Sequence, residues 1–132
     1  MLTYQREKNF TPEELKNLFL AVGWESGNYP EKLLKAVANY GCVWSARDEG
    51  KLVGLIAAMD DGIMTAYIHY LLVEPAQQGK GIGRELTRLL LGDYRDYLRI
   101  LLVADRADLV AFYGEFGFRT KEDKKAMFLD RF

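Results

Sequence analysis

Apolar residues recur along this 132-residue chain with two periods, and the switches between them mark out its elements. From Thr11 the period is helical, with Leu15, Leu18, Phe19 and Val22 on one face. Thr11 at the N-cap, Pro12 behind it and Glu14 three residues on make a capping box. Phe10 and Leu15 hold the two positions of a hydrophobic staple, and Gly23 is the stop. A second helix is predicted from about Pro30 to Tyr40, with Leu33, Leu34 and Val37 inward. The pattern then changes to strands: Cys42 to Arg47, Lys51 to Met59 and Ile63 to Val73, turning at Glu49-Gly50 and Asp60-Asp61-Gly62. These links are too short for parallel crossovers, so the strands are hairpins. A third amphipathic helix is expected over about 80–93. Leu98 to Ala104 is apolar at nearly every residue, as in a strand buried on both faces. Asp105 is placed to cap a last helix over about 106–116, and Phe118 to Phe132 reads as two short strands. Residues 2–8 form a polar first strand. The order βααβββαβαββ describes a mixed, mostly antiparallel sheet with helices on both faces, in one domain spanning 1–132.

The junction between the third hairpin strand and the third helix carries the chemistry. It reads Val73-Glu74-Pro75-Ala76-Gln77-Gln78-Gly79-Lys80-Gly81-Ile82-Gly83-Arg84. Three glycines within five residues let the backbone take positive φ and approach a ligand. The first amides of the helix lack internal acceptors, so the loop is an anion cradle, with Lys80 and Arg84 nearby. A phosphate-bearing ligand is expected. A P-loop needs Lys and then Ser or Thr after its last glycine, but Arg84 and Glu85 follow Gly83. A dinucleotide fingerprint needs G-x-G-x-x-G on the first helix of a doubly wound sheet. Here the spacing is G-x-G-x-G, and only one strong strand follows.

Gln78-x-x-Gly81-x-Gly83 after Leu-Leu-Val-x-Pro resembles the acyl-CoA pyrophosphate loop of the GCN5-related N-acetyltransferases. Ala111-Phe112-Tyr113-Gly114-Glu115-Phe116-Gly117-Phe118 resembles the second conserved block of that family, at a matching separation. The resemblance covers nearly the whole chain and carries the fold expected of the family, with acyl-CoA entering where two strands splay. It implies an acetyltransferase that moves an acetyl group from acetyl-CoA, its co-substrate, directly to a primary amine, with no metal. It also implies site residues. Amides from Gln78 and Gly79 through Lys80, Gly81, Ile82, Gly83 and Arg84 hold the pyrophosphate. A main-chain amide at a bulge near Leu72 and Val73 polarises the thioester, and the same strand pairs with the pantetheine arm. Tyr113 is the general acid, with plain core packing as the competing role. His69, the only histidine, is the candidate base, directly or through water, against a structural role. Its face is expected to be that of Tyr67 and Leu71. Glu74 is a weaker base. Many members have an asparagine where this chain has Arg106, so no CoA contact is carried over there. The loop Gly23 to Tyr29, with Trp24, Glu25 and Tyr29, would shape the acceptor site, a small-molecule amine being favoured. The alternatives are a non-catalytic CoA-binding module, or an acceptor that is a protein N-terminus or lysine.

Composition narrows the setting. A net charge of −1, evenly mixed, argues against nucleic acid or anionic membrane as a partner. Hydrophobic content of 49% and aromatic content of 13% suit one packed core. No apolar run is long enough to cross a membrane. Residues 1–8 lack a signal core, and Cys42 is the lone cysteine, so a reducing cytoplasm is expected. Open hairpin edges are compatible with a homodimer.

Overall fold

The computed structural model describes Met1 to Phe132. Strands β1 (Leu2–Arg6), β2 (Cys42–Asp48), β3 (Lys51–Asp60), β4 (Thr65–Val73) and β5 (Arg99–Leu102) lie side by side in chain order. The first four are antiparallel neighbours, and β5 runs parallel to β4. The β4–β5 link is a crossover through helix α3 (Ile82–Asp93), as parallel pairing requires. Helices α1 (Pro12–Ala21) and α2 (Pro30–Ala38) cover one face of the sheet, and α3 covers the other. Helix α4 (Ala107–Gly114) follows β5. The mixed sheet between helices is the fold class expected from the sequence.

Each face has its own core. Leu15, Leu18, Phe19, Leu33 and Val37 pack on Val43, Leu55, Tyr70 and Leu72. Ile82, Leu86, Leu90 and Tyr94 pack on Ala46, Val53, Ile56, Ala58, Ala66 and Ile68. The α1 capping box forms as expected. The Glu14 amide donates to Thr11 Oγ1 at 3.1 Å, and the Thr11 amide donates to Glu14 Oε2 at 2.8 Å.

Four expectations change. Strand β4 starts at Thr65 rather than Ile63, because the Asp61 carboxylate accepts the amides of Ile63, Met64 and Thr65 and ties them into the turn. Strand β5 is only four residues long and is an edge, half-exposed rather than buried on both faces. Arg106, not Asp105, is the N-cap of α4, and no side chain caps that helix. The two final strands are absent: 118–132 makes no ladder bond, and Lys124 N to Lys121 O is its last main-chain hydrogen bond. The outer edge of β5 is therefore left unpaired.

Candidate active site

The glycine loop is built to present amides. A short 3-10 turn over Pro75–Gln77 carries the chain off β4. Gly79 and Gly81 then take φ of +85° and +82°, left-handed values that cost a residue with a β-carbon about 1–2 kcal/mol. Gly81 is the N-cap of α3 and has no side chain to close the first turn. The result is six consecutive amides, Gly79 to Arg84, that donate to no acceptor in the protein. Together with the helix dipole they are a ready anion site. Gly83 serves a different purpose. A β-carbon there would meet Phe112, Val73 and Leu71 at 3.7 to 4.0 Å, in ordinary contact. It marks where α3, α4 and β4 converge.

The side chains of the loop mostly brace it. Gln78 Nε2 donates to the Val73 carbonyl at 3.1 Å, pinning the loop to the end of β4. Lys80 Nζ donates to Gln77 Oε1, and Arg84 pairs with Glu115 at 2.8 Å, linking α3 to the end of α4. Both cations are exposed and lie beside the cradle. Glu74, the weaker base, is held by Lys51 Nζ at 3.0 Å.

Beside the loop, β4 and β5 part. Their pairing ends at Ile68 opposite Leu102, so β4 from His69 onward has no neighbour on that side. The Glu74 amide donates to the Val53 carbonyl across the β3 side. Strand alternation then turns the main chain of Leu72 toward β3 and that of Leu71 and Val73 toward the open edge. The bulge also lies earlier than expected. Ala58 pairs with Ile68 and Ala57 with Tyr70, which leaves His69 as the extra residue. Inserting it flips the strand's faces. Ile68 packs under α3, while Tyr70 packs under α1 and α2. His69 therefore shares a side with Tyr67 and Tyr70, whereas Leu71 goes to the opposite face.

His69 is held rather than free. Its ring stacks on Tyr70 at 4.0 Å, and Nδ1 lies 2.6 Å from Tyr40 Oη. Burial lowers its pKa from the ordinary 6.5, so it is neutral at pH 7. Proton acceptance at Nε2 requires the tautomer in which Nδ1–H donates to Tyr40. Tyr40 was not singled out in the sequence. It reads there as the end of a helix, and only the fold brings it to β4.

Tyr113 lies near the same parting of strands. It is buried, edge-on to Phe112 and Phe118, and it lines a groove with Leu102, Val103 and Ala104 just past the last β4–β5 pair. Its hydroxyl makes no hydrogen bond to protein, yet no fully enclosed side-chain atom lacks a partner. The hydroxyl therefore opens onto the groove. Burial, aided by Asp105, pushes its pKa up to about 12. It is protonated at neutral pH.

The loop between α1 and α2 is mainly structural. Trp24 packs edge-on to Phe19 and against Tyr70, and Ser26 hydrogen-bonds Tyr70 Oη at 3.2 Å. Glu25 is exposed, and Lys32 lies over the Tyr29 ring. Arg106 pairs with Asp108 across the start of α4. No group of three or more His, Cys, Asp or Glu is arranged to hold a metal ion. Cys42 is buried and donates to Asp93, with its pKa pushed up to about 11 by burial, unsuited to a nucleophile.

Residues 9–127 match the family model described as an acetyltransferase (GNAT) domain. The chain is 30% identical over 115 residues to serotonin N-acetyltransferase 2, chloroplastic, of Oryza sativa subsp. japonica. That match takes in 83% of this chain but 56% of the rice protein's length. Among solved structures, a GNAT-family acetyltransferase from Streptococcus pneumoniae TIGR4 superposes with a TM-score of 0.86, at 27% identity, over 99% of both chains. An aminoglycoside acetyltransferase from an uncultured soil metagenomic sample, solved with sisomicin, superposes at 0.72, with 26% identity over 99% of this chain and 96% of its own.

Proposed function

The chain belongs to the GNAT family of acetyltransferases, and from that premise we propose that it transfers an acetyl group from acetyl-CoA directly to the primary amine of a small molecule, with residues 1–132 as one catalytic domain. The observation that carries this is the run of unbonded amides from Gly79 to Arg84, set at the end of a strand whose outer edge is open. The amides fit a diphosphate. The open edge of β4 at Leu71 and Val73 fits the amide-bearing arm of the donor, as an added strand would.

The chemistry follows from the two titratable groups beside that edge. The amine nitrogen attacks the thioester carbon, a C–N bond forms and the C–S bond breaks. His69 Nε2 takes the amine proton, directly or through a water, while Nδ1–H holds to Tyr40. A main-chain amide of β4 polarises the carbonyl. The thiolate leaves toward Tyr113. With a thiol reference near 8.5 and the phenol at about 12, full proton transfer to a solvated thiolate is uphill by roughly 5 kcal/mol. Tyr113 thus first stabilises the developing charge by a hydrogen bond. Transfer completes only if the same burial raises the sulfur's proton affinity.

A small amine is favoured because both the rice relative and the metagenomic neighbour are named for small amine substrates. The test is release of free thiol from acetyl-CoA across a panel of arylalkylamines, polyamines and aminoglycosides. Acceleration by at least one of them is expected. Tight CoA binding with no acceleration by any amine would contradict catalysis and favour a binding module.

A further inference from the structure

We infer that the acceptor lies on the face of the sheet opposite α3, along Met59, Tyr67 and Leu101 with its amine at His69, and that Arg99 at the far end favours an acidic or neutral tail and turns away a second cation. The class of acceptor is then an ω-amino acid or a plain apolar amine, ahead of a polyamine or an aminoglycoside. This site rests on the proposed acetyl transfer, with His69 as its base.

The two faces of the sheet are covered unequally. The amide cradle opens the first turn of α3, so the donor's diphosphate belongs to the α3 side. On the other side α1 and α2 cover β2, β3 and part of β4, and no residue of β5 joins that core. Ile100 and Leu102 pack toward α3, which turns Arg99 and Leu101 to the uncovered side. Ala58, Ala66 and Ile68 also face α3, so Met59 and Tyr67 share that side with Leu101. Met59, Tyr67 and Leu101 lie opposite one another across three strands. Met59 is 39% and Leu101 43% exposed, with Tyr67 half-buried between them. The Tyr67 ring stacks on His69 at 5.6 Å, so an apolar body resting on this row brings its amine to the imidazole.

Charge decides what the tail can be. Arg99 sits opposite Thr65, four residues from His69 along β4, or roughly 13 Å at strand spacing. It is exposed and joins no ion pair. Arg119, Lys121 and Lys125 line a groove with it and add charge of the same sign. The acids nearest in register are already engaged. Asp60 accepts from the hydroxyls of Tyr94 and Tyr97, and Asp61 accepts the amides of its own turn. Burial and neighbouring phenols alone set the proton affinities of Tyr40, Tyr67 and His69; no carboxylate, Glu25 included, acts on them. A second ammonium group would meet like charge here with no acid to balance it. A carboxylate would meet a guanidinium whose planar fork suits it.

Three amines of one length test this: octylamine, its α,ω-diamine and its ω-carboxylate, each with acetyl-CoA. The parent is expected to give kcat/KM in the order ω-carboxylate, octylamine, diamine, with about fivefold between the extremes, the scale of one exposed charge pair. Added salt should compress that spread. Arg99→Glu is expected to reverse the order with unchanged far-ultraviolet circular dichroism. Should it fold poorly, Arg99→Gln removes the charge alone and is expected to abolish the preference. Tyr67→Ala should raise KM for octylamine more than it lowers kcat, since the row holds the body and not the reacting atoms. A parent that favours the diamine, or an order that the folded Arg99 variants leave unchanged, overturns the proposal. Calorimetric binding of the same amines to the CoA complex supplies a readout besides turnover. The expected order of affinity without acetyl transfer would count against catalysis alone; no binding of any of the three would count against the acceptor site.

Discussion

Tyr113 and His69 are where a single atom decides the account. Tyr113→Phe removes only the hydroxyl that opens onto the groove. The expected result is a kcat lower by about 10²-fold with CoA affinity nearly unchanged, the scale of one acid–base group. Steady-state rates beside a calorimetric titration check it; equal rates would return Tyr113 to the core. For His69 the sign follows from its burial. The lowered pKa means that the neutral base persists to below pH 6.5, so kcat/KM should fall only on the acid side of that value. His69→Ala should abolish that acid limb. Tyr40→Phe should keep the limb but lower its plateau, because it frees the tautomer that the 2.6 Å contact holds. A pH profile of the three proteins distinguishes these outcomes. Sequence shows that a histidine and a tyrosine exist at these spacings. It could not show Tyr40, because a contact 29 residues distant depends on how α2 lies across β4.

The glycine loop is the element on which substitution is most informative. Gly81→Ala forces a β-carbon to φ +82° and should destabilise by about 1–2 kcal/mol while weakening CoA binding. Gly83→Ala, in helical conformation with its nearest neighbour at 3.7 Å, should leave the protein equally stable or up to about 1 kcal/mol more so. Urea unfolding with CoA titration separates the two; equal losses would show that the backbone of Gly81 is not the constraint. This loop was legible in the chain because glycine spacing and helix start are local properties. So was the capping box of α1. The bulge was not: Tyr67 to Val73 is apolar or aromatic at nearly every position, and nothing local marks His69 as the inserted residue. The full turn at Asp61 is hidden for the same kind of reason, since Ile63 and Met64 look like strand residues until one carboxylate takes their amides.

At the scale of the whole molecule, the sheet divides two unequal tasks. Strands β1 to β4 form an antiparallel platform with a core on each face. Strand β5 meets it over four residue pairs and then parts from it. Local patterning predicted the element order through α4, because each of those elements buries a stripe against its neighbours. It failed beyond Phe118, where no ladder forms and Met127, Phe128, Leu129 and Phe132 stay exposed. The central claim remains the diphosphate cradle at the point of parting. Its most direct test is titration of the 15N-labelled protein with CoA, following every backbone amide. The largest shifts are expected at Gly79 through Arg84, with Leu71 and Val73 following as the arm pairs with β4. Saturable binding that leaves those six amides unmoved, or no response at millimolar CoA, would contradict it.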